Sequence, residues 1–203
     1  MKYLIIIITW SVYCFVHSYL ISIRFTNFIT RILKNYYSFF RLFYVLISII
    51  PLVLLMGYTD SLGHENIVTL TPPWMIVRYI LTAVALIIFF WAFIFSYDVL
   101  EFFGIKQIIN FGKVKKINSE EEIKKNGLLG IIRHPMYFAL ILFLWINTES
   151  ISNIIINTIL TIYTIIGTYL EEKKLVLQFG DSYVRYQKEV PMLIPFLKKK
   201  SVY

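Results

Sequence analysis

The chain has 203 residues, of which 58% are hydrophobic and only 16% are charged, a composition too apolar for an ordinary water-soluble domain. Its formal net charge is +8. We attribute this charge to loops that set membrane topology rather than to nucleic acid binding, because cytoplasmic loops carry Lys and Arg. The single cysteine, Cys14, excludes an intrachain disulfide and a cysteine metal motif.

Long apolar runs predict membrane-spanning helices. Each run approaches the roughly 20 residues that a helix needs to cross about 30 Å of hydrocarbon. Backbone groups in lipid must be hydrogen-bonded within their own segment, so the runs are expected to be helical. We therefore predict an all-α, polytopic membrane protein that forms one domain over residues 1–203. The four runs are 4–23, 39–58, 74–97 and 154–170.

The first run contains a polar pair, His17 and Ser18. An ionisable residue inside a membrane span is a functional candidate. The structural alternative is a neutral imidazole that is hydrogen-bonded to a neighbouring helix. The run is too long for a cleaved signal peptide, and no small-residue cleavage site follows it, so we expect it to be retained.

Charges between the runs predict the topology. Residues 24–41 are expected to form a basic loop without acidic residues, whereas the loop 59–73 carries acidic residues and no Lys or Arg. Residues 98–134 are rich in lysine, and Lys198, Lys199 and Lys200 lie near the C-terminus. Because Lys and Arg mark cytoplasmic loops, we place the basic loops and the C-terminus inside and the N-terminus outside. Prolines at 72 and 73 are expected to stop regular structure before the third run.

The region after residue 98 predicts shorter elements. Ser119 and Glu122 form a capping box, and Asn126-Gly127 is a helix stop, so a surface helix is expected over 120–125. Pro135 suits the first turn of a helix. The apolar run that follows is about 11 residues long and covers roughly half of the membrane at 1.5 Å per residue.

We therefore expect a short or tilted fifth membrane helix from Pro135, a turn around 147–153 and a returning helix that ends at Leu170. Beyond it, helical spacing predicts a cytoplasmic amphipathic helix. Gly180 is expected to end one turn and Asp181 to cap the helix 182–189. The amphipathic spacing is carried by Leu175, Phe179, Tyr183 and Tyr186.

Two polar clusters flank this helical hairpin. Arg133 and His134 precede it, and Glu171 and Glu172 follow it, so a hairpin should bring the clusters together at one membrane face. Tyr137 lies one turn after His134 and shares its helix face. The two glutamates are roughly 100° apart on a helix. We therefore expect one glutamate to face the site and the other to pair with Arg133, Arg185 or a lysine.

This set of side chains suits a small zwitterionic ligand with a cationic centre. A carboxylate can hold an ammonium group, and Arg, His or the free N–H groups at a helix N-terminus can hold a carboxylate. Tyrosine rings favour a cation over their faces, and glycines at 127 and 130 let the backbone approach a ligand. S-adenosylmethionine has these features. The alternative is a set of interfacial charges without a ligand, and no metal site is expected.

The combination resembles the isoprenylcysteine carboxyl methyltransferase family, whose wider group includes phospholipid N-methyltransferases and a methanethiol S-methyltransferase-like branch. The resemblance is strong over about the last 80 residues. In the N-terminal half it is weaker and looks like the methanethiol branch, through His17-Ser18 and the segment Asp98 to Gln107. The residues that carry it are Arg133-His134-Pro135-Met136-Tyr137, Glu171-Glu172, Phe179 to Tyr183, Tyr186, and Val190-Pro191 through Pro195.

The resemblance implies an integral membrane methyltransferase whose S-adenosylmethionine lies between the hairpin and the C-terminal helix on the cytoplasmic side. It makes residues 1–97 a three-helix membrane housing and 98–203 the catalytic part. The implied catalytic residues are Arg133, His134, Glu172 and Arg185. The implied cofactor-binding residues are Leu128, Leu129, Gly130, His134, Tyr137, Glu171 and Glu172.

The chain also departs from the family pattern. Phospholipid enzymes carry Gly-x-Gly in the cofactor loop, where this chain has Gly127 and Gly130, and Phe138-Ala139 stands where many relatives have a small residue, often glycine. The methyl acceptor therefore stays open among a prenylcysteine carboxylate, a small thiol and a phospholipid amine. A non-catalytic membrane scaffold of the same fold is a second hypothesis. A small carrier that uses His17 and Asp98 is a third, although no pair of inverted broken helices is visible.

Overall fold

The structure is a computed structural model that describes residues 1–63, 65–96, 99–109, 111, 125–195 and 197, without the side chains of Asn35, Ser96 and Glu101. Every regular element among these residues is a helix, apart from one isolated antiparallel bridge between Asn66 and Ser150. The predicted all-α class is therefore confirmed. The predicted helix 120–125 lies outside the described residues except for Lys125, and so do Asp98 and His64.

The described helices differ widely in length. Four are long and apolar enough to cross a membrane, namely α1 (Lys2–Leu20), α3 (Phe40–Ser61) with the end of the turn before it, α4 (Pro72–Ser96) and α8 (Ile151–Phe179), whereas α7 (Pro135–Ile146) has only 12 residues. This confirms a polytopic helical membrane protein with one short apolar helix. Two 3₁₀ turns cover Lys34–Phe39 and Gly127–Gly130. The helices are α1 (Lys2–Leu20), α2 (Ile23–Leu33), α3 (Phe40–Ser61), α4 (Pro72–Ser96), α5 (Val99–Phe102), α6 (Ile105–Ile109), α7 (Pro135–Ile146), α8 (Ile151–Phe179) and α9 (Asp181–Glu189).

Three predicted boundaries were wrong. The segment 24–41 was expected to be a loop but forms α2 and a 3₁₀ turn. In α2 the apolar residues recur with helical spacing on one face and the polar residues lie on the other. Pro72 and Pro73 begin α4 rather than stopping structure before it, since a first-turn proline lacks only an N–H that would have no partner. The returning helix α8 continues past Leu170 to Phe179, through residues such as Glu, Lys and Leu that favour helix.

The described contacts divide the chain into two compact units. The first unit comprises residues 1–69, 98–115 and 149–160. In its core, Ile6 and Trp10 of α1 pack with Ile156 of α8, and the Trp10 indole N–H donates a hydrogen bond to Thr59 Oγ1 at 3.1 Å. Because lipid tails provide no hydrophobic force between helices, such close packing and polar contacts hold a membrane unit together.

The candidate residue His17 lies in this first unit. Its Nε2 atom is 2.9 Å from the Tyr44 hydroxyl of α3, and the two rings lie 5.2 Å apart. This is the contact with a neighbouring helix that the structural alternative for His17 requires.

The second unit comprises residues 70–97, 116–148 and 161–203. In this unit α7 packs along α4, and the buried residues Ala85 and Ala92 of α4 and Ala139 of α7 are small enough to let helix backbones approach closely. Ala139 is fully buried. At the C-terminal end, Tyr183, Tyr186 and neighbouring apolar side chains of α8 and α9 form a second core cluster.

We expect Trp10→Ala to lower the free energy of unfolding by on the order of 3 kcal/mol, because it removes a buried aromatic ring and an interhelical hydrogen bond. The matched control is Trp91→Ala, since the Trp91 side chain is exposed and its loss should change stability much less. Thermal unfolding of the detergent-solubilised protein by circular dichroism measures both. Equal losses in the two variants would contradict this account of the core.

Candidate functional site

The predicted polar clusters meet in the second unit, at the buried carboxylate of Glu172 on α8. The Arg133 guanidinium donates to both carboxylate oxygens, from Nε at 2.5 Å and from Nη2 at 2.9 Å. Both side chains are less than one-tenth exposed. A bidentate pair of this kind is strong and directional, and burial of the two charges together avoids leaving either one uncompensated.

Further donors complete the coordination of Glu172. His134 Nε2 lies 3.2 Å from one carboxylate oxygen, and the Gln187 side-chain amide donates to the other at 3.0 Å. The second guanidinium nitrogen of Arg133, Nη1, donates to the carbonyls of Gln187 and Val190. The Tyr183 hydroxyl also donates to Glu172 Oε1 at 3.5 Å, so both carboxylate oxygens are occupied within the chain and Glu172 is the structural centre of the cluster.

Backbone hydrogen bonds hold the start of this site. The N–H of Arg133 donates to the Pro191 carbonyl at 2.9 Å, and the N–H of His134 donates to the Met192 carbonyl at 3.1 Å. The segment before α7 is thereby fixed to the segment after α9. The N–H groups of Arg133 and His134 are therefore not available to a ligand, since the chain uses both itself.

The second glutamate, Glu171, has a different environment. Its side chain is 33% exposed, and it accepts a hydrogen bond from the Tyr137 hydroxyl at 2.8 Å. The rings of His134 and Tyr137 are nearly parallel, with centroids 5.6 Å apart. One glutamate therefore pairs with Arg133, as the helical spacing predicted, and the other is accessible.

His134 links the two carboxylates. Its side chain is only 3% exposed, and its Nδ1 atom has no hydrogen-bond partner among the described residues and lies 3.9 Å from Glu171 Oε2. When Nε2 carries the proton and donates to Glu172, Nδ1 is a hydrogen-bond acceptor. A buried acceptor without a partner, close to an accessible carboxylate, suits a group that brings several donors, such as an ammonium.

Two buried tyrosines of α9, Tyr183 and Tyr186, connect the cluster to the 3₁₀ turn Gly127–Gly130. Burial raises the pKa of Tyr186 to about 12 against the opposing charge of Arg133. Burial and the nearby Glu172 carboxylate raise the pKa of Tyr183 above its usual range. Both hydroxyls are therefore protonated at neutral pH, and that of Tyr186 donates to the Leu129 carbonyl at 2.6 Å.

The 3₁₀ turn Gly127–Gly130 uses its predicted cofactor-lining backbone internally. The Leu128 carbonyl accepts hydrogen bonds from the N–H groups of Ile131 and Ile132, both at 3.0 Å. A Cβ atom at Gly130 would lie 2.9 Å from the Lys125 carbonyl, so this glycine is required by the fold of the chain itself. Gly127 has a positive φ of 63° and open space around its Cβ position.

The structure brings together five of the predicted residues and adds two that were not predicted as site residues, Gln187 and Tyr183. Arg185 is exposed on α9, and no hydrogen bond or ion pair joins it to the cluster within the described part of the chain. Gln187 was missed, although it lies four residues after Tyr183 and so on the same face of α9. The five residues are Arg133, His134, Tyr137, Glu171 and Glu172.

The fold and the cluster define a helical membrane protein with a buried Arg–Glu–His centre. Comparison with known proteins shows similarity to methanethiol S-methyltransferases. The chain is 38% identical over 100 residues to that of Pseudomonas deceptionensis, 32% over 102 residues to that of Crocosphaera subtropica and 36% over 96 residues to that of a Pseudomonas sp. (strain GM41(2012)). This similarity confirms the resemblance to isoprenylcysteine carboxyl methyltransferase-like membrane methyltransferases.

The similarity is partial in length. The matched stretch is 49%, 50% and 47% of this chain, but only 38%, 40% and 36% of the three relatives, so less than half of each relative is covered. No family model matches the chain, and no solved structure matches it.

We expect Glu172→Gln to lower the free energy of unfolding by about 3–5 kcal/mol, because it leaves the buried Arg133 charge without its counter-ion. The matched control is Lys125→Gln, which breaks the exposed 2.7 Å ion pair with Glu189, worth roughly 0–1 kcal/mol. Denaturant or thermal unfolding in detergent measures both variants. A loss in Glu172→Gln no larger than in the control would show that the cluster does not hold the unit together.

Proposed function

We propose that this protein is an integral membrane, S-adenosylmethionine-dependent methyltransferase whose acceptor is a small thiol. The observation that carries the proposal is the pair of acceptors formed by Glu171 Oε2 and the buried Nδ1 of His134, 3.9 Å apart. They lie beside a second carboxylate that Arg133 already neutralises. The identity to proteins named methanethiol S-methyltransferase supports the same function.

The residues fit S-adenosylmethionine at its amino-acid end. Glu171 would hold the ammonium group together with His134 Nδ1, and Tyr137 would present its ring nearby. When bound, the cofactor supplies a methyl group on a positively charged sulfur. The exposed Arg185 remains the candidate for binding the carboxylate group of S-adenosylmethionine. The buried Arg133–Glu172 pair would act indirectly, since it orients His134 through Nε2.

The chain's own residues would contribute mainly alignment and exclusion of water. The Tyr137 hydroxyl fixes the Glu171 carboxylate, and Glu172 fixes the His134 ring, so both acceptors are oriented before a ligand arrives. A thiol loses its proton as its sulfur is methylated. Because the lone pair of His134 Nδ1 is assigned to the ammonium group, that proton passes to solvent as the thiol binds in its thiolate form.

A small thiol is favoured over a prenylcysteine carboxylate or a phospholipid amine because the similar proteins are named for methanethiol. The charge distribution of the sequence supports a cytoplasmic location of the cluster. A non-catalytic scaffold of the same fold would bind no cofactor, so cofactor binding is the first point to test.

We expect the wild-type protein in detergent to bind S-adenosylmethionine saturably and Glu171→Gln to bind it roughly 10- to 100-fold more weakly. The reason is that a hydrogen bond to a charged group contributes about 1.5–3 kcal/mol. Isothermal titration calorimetry measures both affinities. Glu189→Gln, which removes an exposed carboxylate from α9, is the matched control and should bind like the wild type. Absence of binding by folded wild-type protein would overturn the proposal, and unchanged binding by Glu171→Gln would overturn the assigned carboxylate.

We expect methyl label from S-adenosylmethionine to appear on methanethiol in the presence of the wild-type protein. We expect His134→Ala to reduce the rate at least 10-fold, since it removes the ring nitrogen that helps to align the cofactor. Parallel reactions with a prenylcysteine analogue and with phosphatidylethanolamine vesicles test the other acceptors. Label on either of these, with none on the thiol, would contradict the choice of acceptor while leaving methyl transfer intact.

A further inference from the structure

The first unit contains an apolar cavity of about 500 Å³ that the proposed methyl-transfer site does not use. Its walls are apolar and aromatic side chains from the end of α1, from α2, from the turn Lys34–Phe39 and from α3. A cavity with such walls favours hydrocarbon over water, because it offers a water molecule no set of hydrogen-bond partners. The residues that line it include Phe25, Ile29 and Leu33 of α2 and Phe40, Phe43 and Ile47 of α3.

Helix α2 divides its residues between this cavity and the surface. Phe25, Ile29 and Leu33 recur every four residues and line the cavity. Arg24 and Arg31 lie on the opposite face, which Lys34 continues just beyond the helix, and all three are exposed. At about 1.5 Å per residue the 11-residue helix is too short to cross a membrane, and its separated faces are typical of helices that lie in the lipid headgroup region.

The basic residues of this segment have no acidic counterpart nearby in sequence. Residues 24–41 contain no Asp or Glu, and no described carboxylate forms an ion pair with Arg24, Arg31 or Lys34. The helix also joins the end of the membrane-spanning α1 to the start of the spanning segment of α3. An apolar cavity and a basic face that pairs with no described carboxylate therefore flank the same short helix where two spans end.

We propose that this helix and cavity bind an anionic phospholipid. One acyl chain would occupy the cavity against Phe25, Ile29 and Leu33, and the phosphate headgroup would lie at Arg24, Arg31 and Lys34. The charge of the headgroup complements the basic face, and the hydrocarbon chain complements the apolar walls. The proposal concerns residues of the first unit alone and holds whether or not the protein transfers methyl groups.

Native mass spectrometry of the detergent-solubilised protein tests the headgroup. Phosphatidylglycerol and phosphatidylcholine with identical acyl chains are added at equal concentration, and bound lipid is counted. We expect the wild type to retain phosphatidylglycerol several-fold more than phosphatidylcholine, and the triple variant Arg24→Gln/Arg31→Gln/Lys34→Gln to retain both equally. The matched control is the triple variant Lys173→Gln/Lys174→Gln/Lys188→Gln, which removes three exposed positive charges from the other unit. It should keep the preference for phosphatidylglycerol.

Equal retention of the two lipids by the wild type would overturn the proposal, and so would a preference that survives in the Arg24, Arg31 and Lys34 variant or vanishes equally in the control. The acyl chain is tested with Ile29→Phe, which fills part of the cavity and leaves every charge in place. We expect it to reduce retention of phosphatidylglycerol. Unchanged retention by a variant whose circular dichroism spectrum matches the wild type would place the chain elsewhere.

Discussion

The buried ion pair between Arg133 and Glu172 fixes the geometry of the second unit. Moving two charges out of water is unfavourable unless each is compensated and its remaining hydrogen-bonding positions are filled. Here the guanidinium and the carboxylate satisfy each other, and His134, Gln187 and two backbone carbonyls satisfy the rest. Because these groups come from the segment before α7, from α8, from α9 and from the segment after α9, satisfaction of one pair of charges requires all of these segments to be in place.

The two adjacent glutamates of this arrangement differ in hydrogen bonding and in exposure. Glu172 is held by five side-chain donor atoms, which occupy both of its oxygens, whereas Glu171 is one-third exposed and its hydrogen bond within the described part of the chain comes from the Tyr137 hydroxyl. His134 contacts the first glutamate through one ring nitrogen and approaches the second through the other. A change at the structural glutamate would therefore be transmitted to the accessible one through the orientation of a single imidazole ring.

Much of this could be predicted from local pattern. The apolar runs identified the spanning helices, since length and hydropathy alone decide whether a segment can cross lipid. The spacing of Arg133, His134 and Tyr137 before and within one helix, and of two glutamates in another, identified five residues of the cluster. The helix α2 was missed because its basic residues were counted for topology, although Phe25, Ile29 and Leu33 already had the spacing of a helix face.

The sequence could specify which residues flank the short apolar helix, and that one of the two glutamates would face away from the other. It could not specify which glutamate pairs with Arg133, because a 100° offset around a helix has no reference direction until a neighbouring segment is positioned. For the same reason the sequence could not specify that Gln187 belongs to the cluster. Gln187 is 15 residues from Glu172 along the chain and meets it only when α9 folds back. Local spacing fixes the face of each helix, and long-range packing fixes what that face meets.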